Sequence, residues 1–508
     1  MEAKIREYLD SMDGTIRHLK SIGTTSRANR DQESRFVDLG LRDRGEEKDG
    51  AEKAIFPVES LPAHRAEHFT GRDKEIETIF GHLGSAETSR LRTFLIYGRR
   101  GIGKTQIALE YCRRHKKNYD AIFWIQCETS ASLRQSFADV AVALELDGAD
   151  KNGHYDENLV KVLGWLKRTT KRWLLIYDNA ERENILKGYW PVGARGAILL
   201  TSRSFYNFFE DDQRGGETVP LFNEQERWDL LMSLLGKEWQ KQHFSESNRM
   251  APLEKAAARV LLHETGGLPL AITQLSILIK NENIGINTPD TSVRGFLELF
   301  HGSHSSLPVR QSGPREPLFH SLDTIWSIAF DALKPNAKAL LSVLALLSPD
   351  SILIDLFLPS NQQYLAPKLG FCRSGSGDLL SRPSIQTIIS PSAELQEAVD
   401  ELRASNFISR AGREMRIHRE VQEAVNYKNA GDLRDSFNSG VNLVYDAFPK
   451  QEGGRPLSES WESCRRYIQH AIHLATKYNL YIQGRPDSPL RGLETAATFA
   501  GLLSNCAW

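Results

Sequence analysis

The sequence predicts an α/β domain, with a parallel sheet and flanking helices, followed by a long helical region. The first observation is a series of short apolar runs that alternate with helical patterns: TFLIY (93–97), AIFWIQC (121–127), WLLIYD (173–178) and GAILLTSR (196–203). Such runs are typical of parallel strands that are buried on both faces. The second observation is that apolar residues beyond residue 220 recur at helical spacing. A doubly wound α/β domain that precedes helical domains accounts for both observations.

Length and composition limit the classes of protein to consider. The 508 residues are too many for one hydrophobic core, so roughly two to four domains are expected. With 64 Lys and Arg against 65 Asp and Glu, the chain has no general attraction to nucleic acid or to an anionic membrane. Its five scattered cysteines indicate a reducing compartment and no zinc site. We expect a cytoplasmic protein with no membrane partner, since neither a membrane span nor a signal peptide is evident.

Composition and spacing divide the chain into six predicted segments. Residues 1–22 carry apolar side chains on one stripe of a helix, which either docks on its own protein or mediates self-association. Asn223, followed by Glu226, indicates the start of a later helix. The predicted segments are an N-terminal helix and polar linker (1–64), the α/β domain (65–215), a helical subdomain (216–300), a linker (301–317), a compact unit (318–428) and a C-terminal helical region (429–508).

The segment GRRGIGKT (98–105) fits the pattern GxxxxGK[ST] in full and lies between an apolar run and a helical pattern. Glycines let the backbone curl until several N–H groups point inward, and the following helix presents its free N–H groups to an anion. Lys104 would reach the β- and γ-phosphates, and Thr105 would offer a hydroxyl to Mg²⁺. The loop thus predicts a P-loop NTPase fold. Its predicted nucleotide-binding residues are Gly98, Arg100, Gly101, Ile102, Gly103, Lys104, Thr105 and Gln106.

Two further strand ends carry candidate residues for the same site. Asp178 ends the run WLLIYD, at the position where a carboxylate usually anchors Mg²⁺ through water. The next residue is Asn179, whose amide cannot act as a carboxylate base, so slow turnover is expected. Arg203 follows the run GAILLTS, and its guanidinium is suited to a γ-phosphate. A strand that merely ends in an Asp-Asn turn, or in a surface arginine, is the simpler alternative.

The order of motifs resembles the NB-ARC family of signal-transducing NTPases, in its fungal form. The motifs are FTGRD (69–73), the glycine loop, LLIYDN (174–179), LLTSR (199–203), GGLPLAI (266–272) and IHREVQ (417–422). This resemblance extends over roughly residues 66–428 and implies that residues 318–428 are a winged-helix-like domain. It also implies that Phe69 and Arg72 flank the nucleotide and that Pro269 packs against the base and ribose. His418 would approach the β-phosphate of ADP and lock a closed form.

The chain departs from the family pattern at two places. Arg419 follows the histidine where the family usually has aspartate. The C-terminal segment resembles the start of a tetratricopeptide-repeat region and then stops, so we expect a curtailed sensor array. Proteins of this family also usually carry an N-terminal effector domain, and the segment here is short and polar.

The resemblance implies a molecular switch that is inactive with ADP and active with ATP and Mg²⁺, in innate-immunity-like or cell-death signalling. It implies self-association in the ATP-bound state and an unknown protein partner. One alternative is an ATPase that turns over steadily, which Asn179 disfavours. The other is a winged-helix transcriptional regulator, although segments such as 392–407 are not basic, as a phosphate-contacting surface would be.

Overall fold

The computed structural model describes residues 54–62, 69–84, 90–128, 130–149, 155–181, 183–191, 196–205, 214–280, 292–306, 317–358, 362–372, 391–450, 461–482, 490, 493 and 495–506. The chain divides into two compact units between Pro220 and Leu221. The predicted N-terminal helix lies outside the described residues. No helix among the described residues is long and apolar enough to cross a membrane.

Six parallel strands form the sheet of the first unit, in the order β1-β3-β4-β5-β2-β6. The strands are β1 (Val58–Ser60), β2 (Leu91–Tyr97), β3 (Ala121–Gln126), β4 (Trp173–Asp178), β5 (Gly196–Ser202) and β6 (Arg214–Thr218). Strands β2 to β5 confirm the four apolar runs. The other two strands were not predicted. Strand β1 lies within the segment interpreted as a polar linker, and β6 continues past the expected domain end at residue 215.

Helices flank this sheet, and their apolar faces cover both of its central strands. The helices are α1 (Asp73–Leu83), α2 (Lys104–His115), α3 (Ser130–Ala143) and α4 (Tyr155–Arg168), and they pack as the pairs α1 with α2 and α3 with α4. Every residue of β4 and β5 is buried. This explains why both strands read as continuous apolar runs instead of alternating ones.

The register of the parallel strands brings their carboxyl ends to one edge of the sheet. Tyr97 lies opposite Ser202 of β5 and Thr218 of β6, and Gln126 lies opposite Asp178. The chain segments that follow β2, β3, β4 and β5 therefore leave the sheet at the same edge. In open α/β sheets this is the edge at which ligands bind.

The second unit is mainly helical. Its first helices are α5 (Glu224–Leu235), α6 (Lys237–Phe244), α7 (Ala251–Glu264), α8 (Pro269–Lys280) and α9 (Val293–Ser306). Next come α10 (Pro317–Ala332), α11 (Pro335–Leu344), α12 (Ala393–Ala404), α13 (Arg419–Lys428), α14 (Leu433–Ala447), α15 (Trp461–Ile482) and α16 (Ala496–Cys506). The capping box of α5 is present, since the Asn223 side chain accepts from the Glu226 backbone and the Glu226 carboxylate accepts from the Asn223 backbone.

The second unit departs from the sequence prediction in two ways. Residues 301–306, interpreted as linker, continue helix α9, because its buried Val293, Phe296 and Phe300 lie along one face. The unit also contains a small antiparallel sheet in the order β7-β9-β8, which the helical spacing of the apolar residues beyond residue 220 did not indicate. The strands are β7 (Ile352–Leu353), β8 (Ile408–Ala411) and β9 (Glu414–Ile417).

Candidate functional site

The glycine loop connects β2 to α2 and takes backbone conformations that favour glycine. The φ angles are +148° at Gly98, +71° at Gly101 and +96° at Gly103, all in the region that L side chains rarely adopt. The Gly98 N–H donates to the Ser202 carbonyl at 3.2 Å, which anchors the start of the loop on β5. The loop thus curls over the N-terminus of α2, where the backbone N–H groups of the first helical turn can hold an anion.

Lys104 is buried at the start of α2 and folds back over the loop. Its Nζ donates to the carbonyls of Gly98 at 2.8 Å and Arg99 at 2.9 Å. Burial lowers the pKa of Lys104 from 10.5 to about 8, while the carboxylates of Glu181 and then Asp178 oppose the shift. An ammonium group in such a site gains from an anionic partner, because carbonyl oxygens compensate only part of its lost hydration.

We expect affinity for Mg·ADP to fall about tenfold between pH 7 and pH 9, because the Lys104 pKa is near 8 in the nucleotide-free protein. Above this pKa the amine is neutral, and phosphate favours the charged form, so binding must take up a proton. Calorimetry in two buffers of different ionisation enthalpy measures both the affinity for Mg·ADP and the number of protons taken up on binding. An affinity that stays flat over this range, with no proton uptake, would contradict the assignment.

Asp178 and Thr105 meet directly beneath the loop. The Asp178 Oδ1 accepts from Thr105 Oγ1 at 3.0 Å and from Thr201 Oγ1 at 2.6 Å. A hydroxyl and a carboxylate are oxygen ligands of the kind that Mg²⁺ prefers. Among the described residues there is no cluster of three or more His, Cys, Asp or Glu that could hold a metal. The donor set therefore fits an ion that takes most of its ligands from water and phosphate.

A tight turn follows Asp178 and is fastened to β5. Asn179 has a φ of +60°, its backbone N–H donates to Thr201 Oγ1 at 2.9 Å, and the Ala180 N–H donates to the Thr201 carbonyl at 2.9 Å. Asparagine tolerates this left-handed conformation better than most residues. The turn places Glu181, three residues after Asp178, back at the carboxyl edge of the sheet.

Two acidic residues at this edge were missed by the sequence analysis. Glu181 pairs with Arg203, with Oε2 at 2.7 Å from Nε. Glu128, which follows β3, accepts from the Asn179 side-chain amide at 3.4 Å. Both acids come shortly after a strand end, so the rule that selected Asp178 would have found them. The predicted Arg203 therefore lies at the site with a carboxylate as its partner.

Phe69 and Arg72, from the FTGRD motif, contact other residues of the first unit. The Phe69 ring lies 5.8 Å from Arg114 Cζ, near the C-terminal end of α2. The glycine loop precedes the N-terminal end of α2, which is about 16 Å away along the helix axis. Arg72 is buried, pairs with Glu75 at 3.0 Å and donates to the Pro220 carbonyl at 2.8 Å. The contact of either residue with a nucleotide stays a prediction.

Pro269 and His418 lie in the second unit. Pro269 is the first residue of α8, where its fixed φ and missing N–H suit a helix start. His418 is exposed and caps α13, since its Nδ1 accepts the Glu420 backbone N–H at 3.2 Å. This bond requires an unprotonated Nδ1, so a neutral His418 carries its proton on Nε2. Their predicted contacts with base, ribose and phosphate stay predictions.

Comparison with family models identifies two parts of the chain. Residues 68–211 match the model described as AAA ATPase domain. Residues 328–430 match the model of a domain of unknown function, DUF7779. No curated protein matches the chain.

Several solved structures resemble the chain. A Signal Transduction ATPase with Numerous Domains (STAND) protein with a tetratricopeptide repeat sensor, from Pyrococcus horikoshii, shares 15% identity over 82% of this chain and 51% of its own, with a TM-score of 0.44. This chain thus spans about half of that protein. The Walker-type ATPase of Pyrococcus abyssi shares 12% identity over 72% of this chain and 98% of its own, with a TM-score of 0.30. The ORC1 protein of Aeropyrum pernix, solved in complex with DNA, shares 14% identity over 73% of this chain and 95% of its own, with a TM-score of 0.32.

The family match and the geometry confirm the predicted class of the first unit. The matched residues contain the parallel strands β2 to β5, the glycine loop, Asp178 and Arg203. A helical region follows, as predicted. Residues 68–211 therefore have the fold of a P-loop ATPase and match the model of the AAA ATPase domain.

Proposed function

We propose that this protein is an adenine-nucleotide-dependent molecular switch of the NB-ARC type, inactive with ADP and active with ATP. The observation that carries the proposal is a fully formed phosphate loop whose Thr105 meets Asp178, combined with Asn179 where a second acid would stand. The first feature suits tight binding of Mg²⁺ and nucleotide. The second disfavours rapid hydrolysis, because an amide cannot accept the proton of an attacking water.

Each site residue has a part in this proposal. The backbone of Gly98 to Gly103 surrounds the phosphates, and Lys104 contacts the β- and γ-phosphates. Thr105 and, through water, Asp178 hold Mg²⁺, which neutralises phosphate charge when it is bound. Arg203 responds to the γ-phosphate. The other proposed nucleotide contacts are Phe69, Arg72, Arg100, Gln106, Pro269 and His418.

The second unit would hold the elements that respond to the nucleotide. We propose a helical subdomain at 216–300, a winged-helix-like domain at 318–428 and the start of a tetratricopeptide-like region at 429–508. The strand order β7-β9-β8, with α12 leading into β8, supports the winged-helix interpretation. Self-association with ATP, an unidentified protein partner in innate-immunity-like or cell-death signalling, and a cytoplasmic location belong to the same proposal and rest on the motif order.

The alternative of a DNA-binding regulator is disfavoured by the charge of α12, the helix that precedes the β-hairpin of β8 and β9. This helix carries Glu394, Glu397, Asp400 and Glu401 against a single basic residue, Arg403. A helix that approaches DNA phosphates should be basic. Nucleic acid is therefore not part of the proposed function.

The rate of ATP hydrolysis distinguishes the proposed switch from a steadily working ATPase. We expect turnover well below about 1 s⁻¹, the low end of ordinary enzymes, because Asn179 follows Asp178 and the carboxylate of Glu181 is paired with Arg203. Asn179→Asp should raise the rate, since aspartate tolerates the φ of +60° at this position. A wild-type rate of tens per second, measured by phosphate release, would favour the working ATPase.

The switch itself is tested by the rate of ADP release from variants of His418. His418→Ala removes both the helix cap and the Nε2 donor, whereas His418→Ser removes the donor and keeps a cap. A charge-assisted hydrogen bond contributes about 1.5–3 kcal/mol, so both variants should release ADP roughly 10- to 100-fold faster. Full inversion of a two-state balance needs about 5.5 kcal/mol, so we expect a partial shift toward the open form in small-angle scattering.

The serine variant is the decisive control in this comparison. If His418→Ser retains ADP as the wild type does and only His418→Ala releases it faster, the histidine acts through its cap alone. In that case the ADP-dependent lock must lie elsewhere in the chain.

A further inference from the structure

Glu181 and Arg203 form an ion pair at the mouth of the phosphate loop. The Arg203 Nε lies 2.7 Å from Glu181 Oε2, and the two side chains are 39% and 21% exposed. Arg203 leaves the end of β5, and Glu181 is brought back to the same edge by the turn at Asn179. The pair is therefore built by two strand ends that are fastened together through Thr201.

Both partners lie within electrostatic reach of Lys104. Glu181 is the strongest of the charges that oppose the lowered pKa of Lys104, ahead of Asp178, while Arg203 acts in the other direction. Since Lys104 is the residue that meets the phosphates in this kind of loop, a third phosphate would arrive beside a carboxylate and an arginine that already neutralise each other.

Two physical consequences follow from this arrangement. A γ-phosphate brings further negative charge next to Glu181, which is unfavourable as long as Arg203 remains with the carboxylate. A guanidinium can bind phosphate through two parallel hydrogen bonds, which are stronger than its bond to a partly exposed carboxylate. ADP lacks the γ-phosphate and leaves the pair undisturbed.

We propose that Glu181 is a specificity-determining residue that favours ADP over ATP by holding Arg203 until a γ-phosphate competes for it. ATP then binds with exchange of partners: Arg203 leaves Glu181 and contacts the γ-phosphate, and Glu181 turns to solvent. This inference rests on the proposed nucleotide switch and adds to it a residue that sets the threshold between the two nucleotides.

The test compares the binding of Mg·ADP with that of the non-hydrolysable triphosphate Mg·AMP-PNP by calorimetry. Glu181→Gln keeps the size of the side chain and removes its charge, so it should tighten AMP-PNP about tenfold and change ADP less than about twofold. Arg203→Gln should weaken AMP-PNP about tenfold and leave ADP unchanged. In the double variant Glu181→Gln/Arg203→Gln, most of the gain from Glu181→Gln should disappear, because there is no arginine left to release.

Glu59→Gln is the matched control. Glu59 pairs with Lys116 at 3.6 Å in the same unit, and its loss should alter neither affinity. Thermal melting without nucleotide confirms that each variant is folded. If wild-type protein binds neither nucleotide, the proposed function fails. If both bind and Glu181→Gln leaves the ratio of the two affinities unchanged, the inference about Glu181 is overturned while nucleotide binding stands.

Discussion

Lys104→Ala should bind Mg·ADP about 100-fold more weakly than the wild type. The lysine is the one side chain of the loop that brings a positive charge to the phosphates from a buried position, and charge-assisted hydrogen bonds are about twice as strong as neutral ones. Thr105→Ala should weaken Mg·ADP as well, but should change binding of ADP without Mg²⁺ much less. Calorimetry with and without Mg²⁺ separates the two effects.

The stability of the nucleotide-free Lys104→Ala protein is the control for this prediction. Burial lowers the pKa of Lys104, so its charge is a cost to the folded loop, and its removal should not lower the melting temperature. The raised melting temperature that ADP gives the wild type should be absent in the variant. A variant that is unchanged in ADP affinity would show that the loop does not bind phosphate through this lysine.

Acidification from pH 7 to pH 4.5 should destabilise the second unit by several kcal/mol. His470 is 1% exposed and its Nδ1 accepts the Ser348 N–H at 3.2 Å. Burial lowers the pKa of His470 to about 4 and that of His473 to about 3, and Lys477 and Arg419 add to the shift at His473. In the unfolded chain both histidines have a pKa of about 6.5, so below that pH the unfolded state binds more protons than the folded state. Each histidine then lowers the free energy of unfolding by about 1.4 kcal/mol per pH unit until its folded-state pKa is reached.

His473→Gln provides the test, because the Nε2 of His473 has no hydrogen-bond partner among the described residues and its loss should cost little at pH 7. The variant should unfold at a lower pH than the wild type, with hydrogen exchange followed separately in residues 461–482 and in the first unit. Among the described residues, the carboxylate of Glu423 faces Lys477 and opposes the lowering of its pKa by burial. An identical acid midpoint for variant and wild type would rule out His473 as a source of the instability.

The central strands and the loop were predictable because their signals are local. Strands β2 to β5 are continuous apolar runs, and the loop is a contiguous pattern. Strand β1 has three residues and β6 has the sequence RGGET, so neither shows an apolar run. A Cβ at Gly215 of β6 would lie 2.3 Å from the Phe94 ring of β2. A glycine is therefore needed here for close packing against β2, although Gly-Gly in the sequence is more typical of a turn.

The site was predicted less completely, since its arrangement depends on contacts between distant residues. Asp178 was selected by its position at a strand end, and the structure brings it to Thr105. The partners of Arg203 and Arg72 were not foreseen, because Glu181 reaches Arg203 only through the left-handed turn at Asn179, and Arg72 reaches Pro220 only through the fold of the whole first unit.

The most direct measurement is the identity of the nucleotide that remains bound to the wild-type protein after purification in the presence of Mg²⁺. The protein should be denatured and its released nucleotide separated by ion-exchange chromatography, with Lys104→Ala treated in parallel. We predict close to one ADP per chain for the wild type and none for the variant. Wild-type protein that carries no nucleotide, and that binds neither Mg·ADP nor Mg·ATP when these are added, would contradict the account.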